Sequence, residues 1–578
     1  MFTDRYPFLC GVLLVALYLA GLVPFAATYA FYNPDERHYT DAALIMLRTG
    51  DYWTPRDDDG TPRFRKPALP YWGVAVGFRA LGLNPLGSRI FPLLTGAGVL
   101  ALTFWLGTRL GRSHAVGLLA AVILLSSPVF LTAAVRATPD IFLCLFLTLA
   151  AAGALLLFET DRFSLGAALA LYVGAGLAVA TKGLLGVVFI VFTWCVAFAW
   201  NRKWLRQNPR LHALALLTGS LIAASWYLLM LAAHGPSFWD SFWADQVAGK
   251  VRLNAADLVE NTLLFCAFYP LFLLPWFLEV AWQRRHPAAG WLKTAMPSLR
   301  RPTRETGVWL FIVFWALALA VVFSAGSRTA PRYLLPAFPL LAVLFATALG
   351  RPLANPHPNT PLLNVFLGGA WGLLALFGVA ALLSQGLINH AWLTGGVVVV
   401  TCAAALAALY TATLRRNWLD RGQALGVSLF ALAFPVFTLL APFTLPSRDM
   451  LVVQQLRDRG VRSGSTVVAV ASSSLASRLR VISTDEWEVV TVARPDEIPP
   501  GATAVVWEER PGAAVSVRQG EPVRVTAGYK GVKTRPLLTA LVAGRLQPYL
   551  REHTQSVCVT VFGTAGTSLP ASTVGPDP

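Results

Sequence analysis

Apolar residues in this chain arrive in blocks of about twenty, the length a helix needs to cross a hydrocarbon core ~30 Å thick. A lipid interior offers no water to unpaired backbone N–H and C=O groups, so blocks of this kind are expected to fold as helices. Window hydropathy places about thirteen of them, centred near Ala20, Leu100, Ile123, Leu149, Gly174, Phe192, Leu221, Phe272, Phe314, Leu341, Leu373, Val400 and Leu432. Composition agrees: 56% of the 578 residues are hydrophobic and 13% are charged, where soluble domains carry roughly 25%. The expected fold is an α-helical polytopic membrane protein over residues 1–445, with a large first loop over about 32–89. The first block is read as an uncleaved helix and not as a signal peptide, because so many spans follow it.

The net charge of +17 does not point to nucleic acid. The cations sit in short clusters between apolar blocks, as loop charges that orient membrane helices do. Arg202, Lys203, Arg206 and Arg210 form one cluster. Arg284, Arg285, Lys293, Arg300, Arg301 and Arg304 form the next, and Arg415, Arg416 and Arg421 the third. Counting off thirteen spans puts all three on one side, which the positive-inside rule makes cytoplasmic along with the N-terminus. Their partner is then the anionic lipid surface. The other face receives the first loop, the turn at Asp140, the loop from His234 to Asn261 and the C-terminus. From about Pro446 the composition becomes that of a soluble domain. Thr466–Ala471, Trp487–Val492, Thr503–Trp507 and Ser556–Phe562 read as strands, and Ser447–Arg459 and Thr534–Arg551 as amphipathic helices. A small α/β domain is expected over 446–566, with a disordered tail over 567–578.

Ionisable residues gather on that outer face. Tyr32-Asn33-Pro34-Asp35-Glu36-Arg37-His38-Tyr39 sets two carboxylates directly after a membrane span, where charge is costly unless paired or used. Two readings stand: the acids serve chemistry, or they cap the helix that follows and meet its dipole. That helix, with Ala42, Ala43, Met46 and Leu47 on one side, is expected to lie flat on the membrane. Further on, Arg63, Arg65 and Lys66 sit among aromatics and prolines in Pro62–Trp72. A ligand phosphate would explain these cations, and so would lipid headgroups. Asp140, Lys182, Arg328, Arg332 and Tyr333 each stand at a span end. Each alone reads as a solvated turn residue, but together they favour a site at the outer interface. The chain has no P-loop, no H-E-x-x-H and no C-x-x-C. Its six cysteines show neither metal nor redox spacing, and without a nucleotide motif an activated donor other than cytosolic ATP is expected.

At these residues the sequence resembles the bacterial branch of the C-type membrane glycosyltransferases, related to protein O-mannosyltransferases and, closer, to lipid A aminoarabinose transferases. Pro34, Asp35, Glu36 and Tyr39 look like the Pro-Asp-Glu-x-x-Tyr signature. Met46-Leu47, Gly50-Asp51-Tyr52-Trp53, Phe64-Arg65-Lys66-Pro67 and Tyr71-Trp72 follow in the family order, and Asp140, Thr181-Lys182-Gly183 and Tyr333-Leu334-Leu335-Pro336 match later landmarks. The sequence departs at Arg65, where the family usually has a carboxylate, and at Ala68, where many members have a second proline. The resemblance implies an inner-membrane enzyme that moves 4-amino-4-deoxy-L-arabinose from undecaprenyl phosphate to lipid A. The alternative is a polyprenyl-phosphate-sugar transferase acting on protein or another envelope glycan. It implies Asp35 and Asp140 as catalytic carboxylates, and Lys66, Tyr333, Arg332 and Lys250 as ligands of the donor phosphate. Glu36, Arg37, Tyr39, Arg63, Tyr71 and Lys182 would line the substrate site. The chemistry requires no cofactor, and the sequence does not indicate a bound divalent ion.

Overall fold

The computed structural model describes residues 7–28, 35–57, 60–159, 163–200, 207–245, 255–283, 304–326, 330–350, 361–383, 421–433, 449–483, 485–508, 523–529 and 554–562, with single positions between 539 and 552. The expected span at Val400, the expected tail and Lys250 lie outside them. So does nearly all of the helix expected over Thr534–Arg551.

The chain divides into two compact units, of which the first takes residues 1–27, 38–77 and 88–439. Its helices include α1 (Pro7–Thr28), α2 (Asp35–Thr49), α3 (Leu69–Leu81), α4 (Pro85–Gly111), α5 (His114–Leu125), α6 (Pro128–Ala134), α7 (Pro139–Glu159), α8 (Leu165–Lys182) and α9 (Leu185–Trp200). They continue as α10 (Pro209–His234), α11 (Pro236–Trp243), α12 (Ala255–Phe272), α13 (Leu274–Gln283), α14 (Arg304–Ser324), α15 (Phe338–Gly350) and α16 (Pro361–Leu383), with a 3₁₀ turn over Pro331–Ala337 before α15 and a further helix, α17, over 421–433. Among the described residues, eight helices are long and apolar enough to cross a membrane, or nine if α5 and α6, bent by 73°, count as one span. The protein is a polytopic membrane protein. The α5–α6 bend falls at Ser127-Pro128, where proline cannot donate to the preceding turn. The apolar block expected around Phe272 is two helices, α12 and α13, with Pro270 and Pro275 flanking the break.

Helix α2 differs from expectation. Tyr39 through Leu44 are all buried, Thr40 and Asp41 included. It therefore packs within protein and offers no single apolar stripe to lipid.

Small residues set the tightest packing. A Cβ on Gly174 of α8 would fall 2.8 Å from both the Ala150 N and the Phe146 O of α7. Gly176 of α8 faces the backbone of Gly219 on α10. Close backbone approach of this kind binds helices where no hydrophobic effect separates them from lipid. It clamps α7 and α8 as an antiparallel pair, so the start of α7 and the end of α8 come to one level.

The second unit takes residues 28–37, 78–87 and 440–578. Helix α18 (Asp449–Asp458) precedes β1 (Thr466–Val470), α19 (Ser473–Ile482), β2 (Glu488–Val492), β3 (Ala504–Glu508), β4 (Val523–Tyr529) and β5 (Thr554–Val561). The sheet order is β2-β1-β3-β5-β4. β1 pairs in parallel with β2 and β3, and β5 runs antiparallel to β3 and β4. Val467, Ala469, Leu475, Leu479, Trp487, Val506 and Val557 form its core on one face. The other face buries Val468, Val470, Val505 and Trp507. Strands buried on both faces read as continuous apolar runs, which made β1, β3 and β5 legible. The sequence reading missed β4, whose Arg524, Thr526 and Gly528 interrupt the pattern, and α19, which opens on Ser472-Ser473-Ser474.

Candidate active site

Asp140 is the second residue of α7, after Pro139. Proline suits a first helical turn, whose N–H groups have no intrahelical partner, and the carboxylate meets the positive end of the helix dipole. Lys182 is the last residue of α8, where a cation meets the negative end. Gly183, with φ of +91°, ends that helix. The helix clamp brings the two side chains together. Lys182 Nζ donates to Asp140 Oδ1, with the lysine 13% and the carboxylate 6% exposed. Removing one partner of so buried a pair costs about 3–5 kcal/mol, because the other charge is stranded.

The 3₁₀ turn brings a second layer. Cys144, one turn along α7, donates from Sγ to the Leu335 carbonyl at 3.6 Å. This sets Arg332 and Tyr333 beside Asp140. Arg332 Nε lies 3.7 Å from Asp140 Oδ2. The Tyr333 ring stacks on Phe323 at 5.0 Å and lies under Lys182 Nζ at 4.7 Å and the Arg332 guanidinium at 5.6 Å. Lys66 is close enough to act on the Asp140 charge. One carboxylate thus meets the charge of three cations, two of them over one aromatic ring, a surplus of positive charge fit for an anion.

The segment that carries Lys66 is a hairpin held by side chains. Asp51 Oδ1 accepts from the backbone N–H groups of Trp53 and Thr54, both at 3.1 Å. The indoles of Trp72 and Trp226 donate to the carbonyls of Tyr52 and Trp53 at 2.6 and 3.0 Å. Thr54 Oγ1 and His234 Nε2 are 3.2 Å apart. Arg56 pairs with Pro62 across the hairpin, and Gly60 takes φ of +82° at its tip. Asp57 Oδ1 accepts from Arg63 Nη1 at 2.8 Å and lies 3.5 Å from His38 Nδ1 on α2. Burial pulls the Asp57 carboxyl upward, but hydrogen bonds from His38 and Arg63 and the Arg63 charge outweigh it and hold it at about 2.

The structure divides the three cations expected to share a phosphate. Arg63 is buried against Asp57. Arg65 is exposed, with Nε 3.7 Å from Asp245 Oδ1, so a carboxylate stands beside the residue that replaces one. Lys66 acts on the Asp140 charge. Tyr71 is fully buried beside Tyr39, their rings 4.8 Å apart. Asp35, Glu36 and Arg37 form the first turn of α2 and group with the second unit. Among them Glu36 is buried, which a solvated helix cap would not be. Among the described residues, no three His, Cys, Asp or Glu side chains gather as a metal set. The sequence reading missed His38, Asp57, Trp226 and His234. Asp57 stands in the acidic run Asp57-Asp58-Asp59 and His38 beside the signature acids, and neither neighbourhood marks the residue that matters.

Comparison with known proteins bears on this arrangement. The family described as dolichyl-phosphate-mannose-protein mannosyltransferase matches residues 11–244. An undecaprenyl phosphate-α-4-amino-4-deoxy-L-arabinose arabinosyl transferase of Aeromonas salmonicida is 25% identical over 79% of this chain and 80% of its own length. The corresponding transferase of Erwinia tasmaniensis is 26% identical over 67% of each chain. The crystal structure of ArnT from Cupriavidus metallidurans bound to undecaprenyl phosphate superposes with a TM-score of 0.64 at 19% identity, covering 96% of this chain and 99% of that one. The chain is similar to these arabinosyl transferases in sequence and shares the fold of ArnT. The resemblance seen in the motifs thus extends to the fold, and the mannosyltransferase match runs across α2, the hairpin, Asp140 and Lys182.

Proposed function

We propose that the enzyme transfers 4-amino-4-deoxy-L-arabinose from undecaprenyl phosphate to a phosphate of lipid A at the periplasmic face of the inner membrane. The observation that carries this is the surplus of cations on Asp140: Lys182 and Arg332, which also lie over the Tyr333 ring, and Lys66. In the reaction an acceptor oxygen attacks the anomeric carbon while the bond from that carbon to the donor phosphate oxygen breaks. Undecaprenyl phosphate leaves with growing negative charge, which preorganised cations stabilise. The sugar is activated by its own linkage, so no nucleotide or further cofactor is required. Asp140 keeps Lys182 and Arg332 in place and leaves the site able to accept a dianion. A lipid A phosphate is already ionised at neutral pH, with a second pKa near ~6, so it needs no strong base. By the family resemblance Asp35 then holds the cationic amine of the sugar and orients it. The product carries less negative charge, and resistance to cationic peptides such as polymyxin follows.

The test is reconstitution. Purified enzyme, undecaprenyl-phosphate aminoarabinose and lipid A are combined, and lipid A is examined by mass spectrometry beside Lys66→Ala. Addition of one aminoarabinose by wild type alone supports the reading. No addition, with hydrolysis or transfer seen when a Ser/Thr peptide or another glycan is supplied, shifts the acceptor to the second reading that the mannosyltransferase match favours.

A further inference from the structure

The residues on either side of Lys66 are held from different directions. Arg63 N–H donates to the Pro55 carbonyl at 2.7 Å and its guanidinium grips Asp57. Phe64 packs edge-on against His234 and Phe238, with ring centroids 5.0 and 5.2 Å apart. Arg65 meets Asp245 at the surface. Ala68, two residues beyond, is buried with Trp226, Met230 and Phe242. Of these anchors only the first is both buried and ionic. Arg63 is 8% exposed, and a guanidinium cannot shed its proton, so its burial depends on the carboxylate opposite. Asp57 also reaches back to His38 on α2. One carboxylate therefore ties three pieces of chain: α2, the hairpin and the segment entering Lys66.

An open carboxylate beside an anion site would repel a phosphate. Here Arg63 pairs with the Asp57 charge and His38 lies beside it, so the group holds the segment without weakening the field at Lys66. The Asp57 carboxylate has no part in the transfer itself, and nothing in the chemistry calls for it.

We propose that Asp57 is a positioning residue for the donor phosphate: its grip on His38 and Arg63 fixes the segment that presents Lys66 to the Asp140–Lys182–Arg332 cluster. This rests on the reading of Lys66 as a phosphate ligand. Without Asp57, Arg63 swings out toward water and carries the backbone of Lys66, three residues on, away from the cluster. The loss falls on donor binding and leaves the chemical step alone.

The test uses the full-length enzyme in nanodiscs, with undecaprenyl phosphate as the binding probe and the lipid-linked sugar as substrate. Asp57→Asn is expected to weaken undecaprenyl phosphate binding and raise the donor KM tenfold or more, with kcat within twofold and an unchanged acceptor KM. Asp57→Glu is expected to recover most of the loss. The double variant Asp57→Asn/Lys66→Ala is expected to bind no worse than Lys66→Ala alone, which a merely structural role would not produce. Wild-type binding by Asp57→Asn, with binding lost in Lys66→Ala, overturns the positioning role and leaves the phosphate site standing. Wild-type binding by Lys66→Ala overturns the site reading and this proposal with it. If Asp57→Asn does not fold, His38→Ala decides, since it loosens the same carboxylate without stranding Arg63. A donor KM raised threefold or more supports the proposal, and an unchanged one overturns it.

Discussion

Lys182 and Asp140 lie 42 positions apart in sequence and meet because one closes a helix and the other opens its antiparallel neighbour. The pair is buried, so its two members are not equivalent to two surface charges. Asp140→Ala strands two cations, Lys182 and Arg332. It is expected to cost about 3–5 kcal/mol of stability and to abolish transfer. Lys182→Met with Asp140→Asn removes both charges. That double variant is expected to melt closer to wild type than Asp140→Ala does, yet to remain inactive. Thermal unfolding in detergent and the transfer assay, run on the same preparations, check both halves.

Lys66 separates from this pair because the cluster does not depend on it to neutralise a carboxylate. Lys66→Ala is expected to melt within a degree or two of wild type and to lose donor binding. Lys66→Arg keeps the charge but spreads it over a planar fork, and should retain a measurable fraction of activity. A Lys66→Arg variant as inactive as Lys66→Ala would show that the site needs a compact point charge.

Asp35→Asn is expected to abolish transfer while undecaprenyl phosphate still binds, because the carboxylate is assigned to the sugar and not to the phosphate. Normal turnover by Asp35→Asn would remove Asp35 from the site.

The Asp57 clasp sets a pH limit with a definite sign. Its carboxyl lies at about 2 in the folded protein against an ordinary 3.8. A depressed carboxylate stabilises the fold above its ordinary value, and that contribution disappears as pH falls through the folded one. The clasp is thus fully present at pH 5–8 and is lost between about pH 4 and 2. The difference is worth about 2 kcal/mol at most, since the group is 29% exposed and screened. Limited proteolysis at the hairpin tip, followed against pH, should show protection constant above pH 5 in wild type and absent at every pH in Asp57→Asn.

Gly174→Leu drives a branched side chain into the Ala150 and Phe146 backbone, where even a Cβ would sit 2.8 Å away. It is expected to separate the end of α8 from the start of α7 and to lower both stability and activity. Gly368, which has no atom within 4 Å of an added Cβ, should accept alanine without effect.

The sequence carried much of this because its strongest signals are the ones that membranes enforce. Blocks such as Leu100 and Leu149 must be helices, and each sits within one. Asp140, Lys182, Arg332 and Tyr333 were legible as a group because each is a polar residue at the end of an apolar block. The clasp was not legible. His38 and Asp57 are separated by a helix and a turn, and nothing in either neighbourhood marks its partner. The burial of α2 was hidden for a related reason: periodicity shows that a helix has an apolar face, but not what covers its polar one. In the second unit, β4 was lost because an edge strand does not need a continuous apolar run.

The ion pair between Arg65 and Asp245 also bears on how the departure at Arg65 is interpreted. A carboxylate is absent from position 65, yet one stands 3.7 Å from its side chain on the far side of α11 in the sequence. The local charge sum is therefore zero whichever of the two positions bears the acid. Exchanging the residues, Arg65→Asp with Asp245→Arg, would conserve that sum and reverse only the direction of the local dipole. What looks in one dimension like an inverted residue is, in three, one orientation of a neutral couple.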